Sequence, residues 1–258
     1  RPIATCQNIT VQLNNTGTGS TTAAAVNNGS SDACGIQSLS LSQTTFVCAE
    51  VGVNTEVLTV TDVNGNSTTC TTVITVEDNV APVAICQNIT VQLDITGNAN
   101  IAASQVDNGS SDACGIASLA LNVTTFSCNN VNANTVILTV TDVNGNSSTC
   151  ASTVTVLDTV RPVPNCQNVT VFLNNTGTGA TTASAVNNGS TDNCTIASMV
   201  LSQTSFVCAE VGANTEILTV TDVNGNSATC STIVTVLDTV RPIATCQNIT
   251  VQLNNTGT

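Results

Sequence analysis

Residues 56–78 read EVLTVTDVNGNSTTCTTVITVED, and this stretch decides the fold class. Glu56 to Asp62 is β-branched and apolar, Asn64-Gly65-Asn66 is a turn signal, and Thr69 to Val76 is a second β-branched run. Two such runs around an Asn-Gly turn predict a β-hairpin. Upstream, Asn8 to Leu13 alternates Ile9, Val11 and Leu13 with polar residues, which is the period of a strand with one face buried. Ser38 to Ser42 alternates leucine with serine, Thr44 to Cys48 carries Phe46, and Thr21 to Val26 is a weaker strand candidate. Six or seven short strands with polar turns between them predict an Ig-like β-sandwich. No helical periodicity of useful length appears.

The pattern recurs. CQN[IV]TV[QF]L begins at Cys6, Cys86, Cys166 and Cys246, and VTDVNGNS at Val60, Val140 and Val220, always 80 residues apart. The chain therefore reads as three Ig-like repeats, 1–80, 81–160 and 161–240, with 241–258 opening a fourth. Residues 241–258 match residues 1–18 without a difference, as in a window cut from a longer array. The expected architecture is all-β, with tandem sandwiches strung into an extended rod or filament.

Composition removes whole classes of function. The net charge is −13, with 3 Lys+Arg, 16 Asp+Glu and no histidine. Without histidine there is no triad and no His metal ligand. Three arginines cannot neutralise a phosphate backbone, so nucleic acid is excluded as a partner. No apolar stretch is long enough for a membrane-spanning helix. Glu50 and Glu56 return as Glu210 and Glu216 but become Asn130 and Val136 in the middle repeat, and no aromatic platform accompanies them. A glycosidase-type carboxylate pair is therefore rejected, and no catalytic residue is expected.

Four cysteines per repeat at fixed spacing, in a chain with few other reactive side chains, read as a disulfide framework in an oxidising, extracellular setting. Zinc is disfavoured, since there is no CxxC pair and no histidine. Four cysteines allow three connectivities. Cys34 opens and Cys48 closes an expected Leu39–Phe46 hairpin, so the reading pairs 34 with 48. In an Ig-like sandwich the first and last strands run parallel, which pairs Cys6 with Cys70. The equivalents are Cys86–Cys150, Cys114–Cys128, Cys166–Cys230 and Cys194–Cys208.

Five-residue connectors ending in proline, Asp78 to Pro82 and Asp158 to Pro162, fall between repeats and read as stiff joints. Sandwich topology places Asp78 with Asp112 and Asp142 at the first joint, and Asp158 with Asp192 and Asp222 at the second. Three carboxylates with nearby Asn oxygens (Asn144, Asn224) suit calcium, the one cofactor the sequence suggests. The competing reading makes these aspartates turn formers, and Arg161 could supply the counter-charge to Asp158. Asn-x-Ser/Thr sequons at Asn8, Asn28 and Asn66 follow from an Asn/Thr-rich composition. Phe172 replaces the glutamine found at positions 12, 92 and 252, on the polar face of the first strand.

The pattern TVTDVNGNSxTC…TV(E/L)D(N/T)V(A/R)P…CQN(I/V)TV, with DNGSSDACGI at 107–116, resembles the HYR-like, Ig-type tandem repeats of giant flavobacterial surface proteins of the gliding-adhesin kind. The resemblance covers the whole chain. It implies type IX secretion, display on the bacterial cell surface as filaments and movement by a gliding motor reached through regions outside residues 1–258; it implies no enzyme. The expected function is a structural and adhesive stalk whose partners are the neighbouring repeats. Two alternatives stand beside it: a module presenting loops to surface polysaccharide or another partner, and a self-assembling extracellular fibre.

Overall fold

A computed structural model describes residues 1–257. In the first repeat, β1 (Ile9–Gln12), β2 (Thr18–Ser20), β3 (Ile36–Leu41), β4 (Thr45–Val47), β5 (Gly52–Asp62) and β6 (Ser67–Glu77) form two facing sheets. One has the order β1-β6-β5-β3; the other is the pair β2-β4. The stretch at 56–78 is the long antiparallel hairpin β5-β6, in register from Gly52↔Val76 to Thr61↔Ser67. Alternation sends Leu58 and Val60 of β5 and Ile74 and Val76 of β6 inward, where they meet Val11, Leu13, Val26, Leu41 and Phe46. Phe46 lies on β4 and has no exposed surface, so the repeat's one aromatic fills the space between the sheets.

The same order recurs in β7 (Ile89–Gln92), β8 (Asn98–Asn100), β9 (Ile116–Leu121), β10 (Thr125–Ser127), β11 (Asn132–Asp142) and β12 (Ser147–Leu157). It recurs again in β13 (Val169–Phe172), β14 (Thr178–Ala180), β15 (Ile196–Leu201), β16 (Ser205–Val207), β17 (Gly212–Asp222) and β18 (Ser227–Leu237). The chain is all-β, built of three Ig-like sandwich repeats. It divides into two compact units: Arg1–Gln92 with Asn98–Leu157, and Leu93–Gly97 with the residues from Asp158 on.

The first strand pairs with the last in parallel, Ile9↔Ile74 through Gln12↔Glu77. That pairing sets Cys6 beside Cys70, and a disulfide joins them with Cα atoms 6.0 Å apart. Cys86–Cys150 and Cys166–Cys230 close in the same way, each across 64 residues.

Three sequence expectations fail. The Leu39–Phe46 hairpin does not form, because β3 pairs with β5 and β4 pairs with β2, in the other sheet. The expected Cys34–Cys48 bond goes with it: Cys48 is bonded to Cys114, and Cys34 is a free thiol. The expected Cys114–Cys128 and Cys194–Cys208 bonds fail likewise, since Cys114 is taken by Cys48 and Cys208 is free, while Cys128 and Cys194 are both oxidised. Finally, the segment from Thr21 to Val26 is not a strand. Ala23–Val26 makes one helical turn, with Thr22 Oγ1 accepting from Ala25 N at 3.3 Å. A threonine N-cap before alanines favours that turn.

Candidate functional site at the repeat junction

Within the first unit the junction between repeats 1 and 2 is built from both. Cys48 follows β4, and its bond reaches Cys114 in the loop before β9. Gly17 sits against this bridge with φ +70°; a Cβ there would stand 2.5 Å from Cys48 Sγ and 3.2 Å from Ala113 Cβ. Glycine takes that left-handed conformation without strain and, lacking a Cβ, leaves the bridge its path. The connector is tied to the repeat it enters: Asn146 Nδ2 donates to Asp78 O at 3.0 Å, and Ser148 Oγ donates to Pro82 O at 2.5 Å. Asp78 and Pro82 are both buried.

The six junction aspartates divide into two kinds. Asp142 is a turn former: Oδ1 accepts from Asn144 N at 2.8 Å and Asn146 N at 2.9 Å, and Oδ2 accepts from Asn146 Nδ2 at 2.9 Å. Asp222 repeats this with Asn224 and Asn226. Asp78 and Asp158 differ. Oδ1 of each accepts from the N–H two residues on, at 3.1 Å, and Oδ2 of each is buried without a hydrogen-bond partner. At the first junction the metal-competent atoms that converge within 4.8 Å belong to Asp78, Asp112 and Cys114, without Asp142. Cys114 is in a disulfide, so the expected carboxylate triad is not assembled there. In the second unit Asp158, Asp192 and Asp222 do converge, each offering one oxygen within 4.8 Å of the others. Asn193, where repeat 2 has Ala113, donates through Nδ2 to Asp158 Oδ1 at 3.2 Å. Arg161 is exposed.

The remaining polar signals resolve as local architecture. Glu50 accepts from Gln43 Nε2 at 2.5 Å and from Val47 N at 2.8 Å, and the Gln43 bond, helped by the Val47 one, holds its carboxyl below the ordinary value. Glu56 accepts from the Ser42 hydroxyl, whose oxygen in turn accepts from Val57 N at 2.8 Å. The sequon asparagines work in the fold: Asn8 Oδ1 accepts from Val73 N at 2.9 Å, and Asn66 Nδ2 donates to Asp62 Oδ2 at 2.8 Å. Phe172 is 60% exposed and pairs in register with Leu237, where the first repeat has Gln12 beside Glu77.

Sequence reasoning missed the Cys48–Cys114 bridge, yet a signal for it existed. Placing Asp112 at the junction carries Cys114 there too, two residues on, and by the same logic takes Cys34 with Asp32 to the opposite end of its repeat.

The fold and its bridges define the class: a tandem Ig-like β-sandwich protein stabilised by disulfides, the kind of bond that persists in oxidising, extracellular settings. The chain matches no protein-family model. No curated relative matches it either. Among solved structures it is similar to protocadherin gamma B7 extracellular cadherin domains 1–4, with 13% identity over 78% of this chain and 66% of that one and a TM-score of 0.32. It is also similar to the titin I-band fragment I67–I69, with 10% identity over 92% of this chain and 98% of that one and a TM-score of 0.39. Mouse clustered PcdhgC3 EC1–3 shares 14% identity over 76% of this chain and 83% of that one, with a TM-score of 0.30. No helix among the described residues is long and apolar enough to cross a membrane.

Proposed function

We propose that this chain is part of a load-bearing, adhesive repeat array outside the cell, in which each sandwich is braced internally and the first is stapled to the second. The observation that carries the reading is the Cys48–Cys114 disulfide, which joins one repeat to the next inside a single unit. The staple keeps two neighbouring repeats joined even when the connector between them is cut, which suits a stalk exposed to proteases outside the cell. The resemblance of the repeat to those of giant flavobacterial surface proteins supports the finer reading: a stalk of the gliding-adhesin kind on a bacterial surface, carried there by type IX secretion, with its adhesive target and motor attached elsewhere in the protein.

Single-molecule pulling tests the mechanical claim. In the oxidised chain force passes through Cys6–Cys70 and Cys86–Cys150, leaving only the 16 residues from Cys70 to Cys86 to extend. The extended length available is then at most about 60 Å per repeat, at about 3.6 Å per residue. Reduction should raise it to about 290 Å for the whole 80-residue repeat. Long steps from the oxidised chain would defeat the load-bearing role. Antibody labelling of intact, unpermeabilised cells tests the location, and labelling seen only after lysis would refute it.

A further inference from the structure

The geometry points to a binding site for a hard divalent cation, calcium, formed by Asp158, Asp192 and Asp222 in the second unit. The three carboxylates each bring an oxygen within 4.8 Å of the others. Asp158 is 7% exposed, and its Oδ2 is buried with no hydrogen-bond partner. Asp192 Oδ1 is buried and unpartnered as well. A buried carboxylate oxygen that gives up water without gaining a donor costs free energy, and three like charges this close repel one another. One cation among them answers both costs. The nearest candidate counter-charge in sequence, Arg161, is exposed and leaves Asp158 Oδ2 without a donor.

The surrounding bonds hold the oxygens in place. Val160 N at 3.1 Å and Asn193 Nδ2 at 3.2 Å both donate to Asp158 Oδ1, while Oδ2 receives no donor. Cys194 N donates to Asp192 Oδ2 at 2.9 Å and leaves Oδ1 free for a ligand. Asn226 Nδ2 donates at 2.8 Å to Asp222 Oδ2, fixing that carboxylate.

The donor set selects the ion. All donors are carboxylate oxygens, which suits a hard cation and not zinc. Calcium accepts six to eight oxygens in a flexible arrangement, whereas magnesium insists on an octahedron and gives up its waters reluctantly. Three protein carboxylates leave the remaining positions to water, which predicts the weak affinity of extracellular sites, about 10⁻⁴ to 10⁻³ M. Bound calcium would tie Asp158, the first connector residue, to the two loops of repeat 3 that carry Asp192 and Asp222.

Calorimetric titration of the oxidised chain with CaCl2 in chelator-treated buffer tests this. The expected result is one saturable site in that range, about tenfold weaker for MgCl2, with a Tm that rises on adding calcium. Asp158→Asn and Asp192→Asn should each weaken binding at least about tenfold, since each keeps its backbone-capping oxygen but loses charge. Asp112→Asn at the first junction should leave affinity unchanged. Circular dichroism checks that the variants fold; should they fail to, the parent chain's titration and Tm decide. No saturable binding up to about 10 mM, binding indifferent to both substitutions, or equal affinity for magnesium would overturn the assignment. The pulling result reads disulfides in calcium-free buffer, so failure here leaves the load-bearing reading standing.

Discussion

Cysteine 48 carries more of the architecture than its half-buried place after a three-residue strand suggests. Its bond to Cys114 closes a loop of 66 residues, and loop-closure arithmetic values such a bond at roughly 4 kcal/mol. Cys48→Ser should therefore lower stability toward that figure and raise the number of titratable thiols. The intact chain shows free Cys34, Cys208 and Cys246; the variant adds Cys114. Non-reducing peptide mapping should recover a 48–114 linked pair, and a 34–48 pair would refute the structure at this point. Asp142 works at the same scale. It is buried and accepts three hydrogen bonds from the turn it opens. Asp142→Ala should cost about 1–3 kcal/mol in denaturant melts.

At the scale of elements, the β5-β6 hairpin links stability to pH through its turn. The Asn66 side-chain bond, with the Asn64 and Asn66 N–H groups, holds Asp62 below its ordinary value, and Ser110 does the same for Asp107. A depressed carboxyl binds its proton more weakly in the folded state than in the unfolded one. Its contribution is then whole above the unfolded value and is lost as pH falls through the folded one. The melting temperature should be level above about pH 5 and fall below about pH 4; a melting temperature that rises on acidification would contradict the turn geometry. The β1-β2 contact shows how a strand's neighbours set its residues. A Cβ on Gly19 would meet Val11 Cγ1 at 2.7 Å and Gln12 O at 2.9 Å. Repeat 2 carries Ala99 at that place, and there Val91 is only half-buried while Ile101 joins the core. Gly19→Ala alone, without that repacking, should destabilise repeat 1 by about 1–3 kcal/mol in the same melts.

For the whole molecule, the consequence of the staple is that cutting the connector does not part the repeats. A protease site introduced between Asp78 and Pro82 should leave one band on a non-reducing gel after cleavage and two fragments on a reducing one. Two bands without reductant would remove the cross-repeat bond from the account. The pulling experiment reads the bonds within each repeat, and this one reads the bond between them.

The alternation of Leu58, Val60, Ile74 and Val76 and the Asn-Gly turn between them are local facts, so the hairpin and the 80-residue period were legible directly. The junction aspartates were legible as a group, because a sandwich puts the same turns at the same end, but not which of them keep a free oxygen. That depends on side-chain donors: Asn146 and Asn226 each place one donor on Oδ2 of Asp142 and Asp222, while Asp158 Oδ2 receives none. The partner of Cys48 was not legible, since β3 and β4 are adjacent in the chain yet pair in different sheets. The plainest case is β1: Ile9, Val11 and Leu13 alternate with polar residues in the sequence, and Val11 is buried in the fold. Sequence alone supplied the period and the alternating face. The strand itself came from tertiary structure, because its hydrogen bonds run to β6, some 65 residues away in register, and a short extended segment has no internal bonds with which to hold itself.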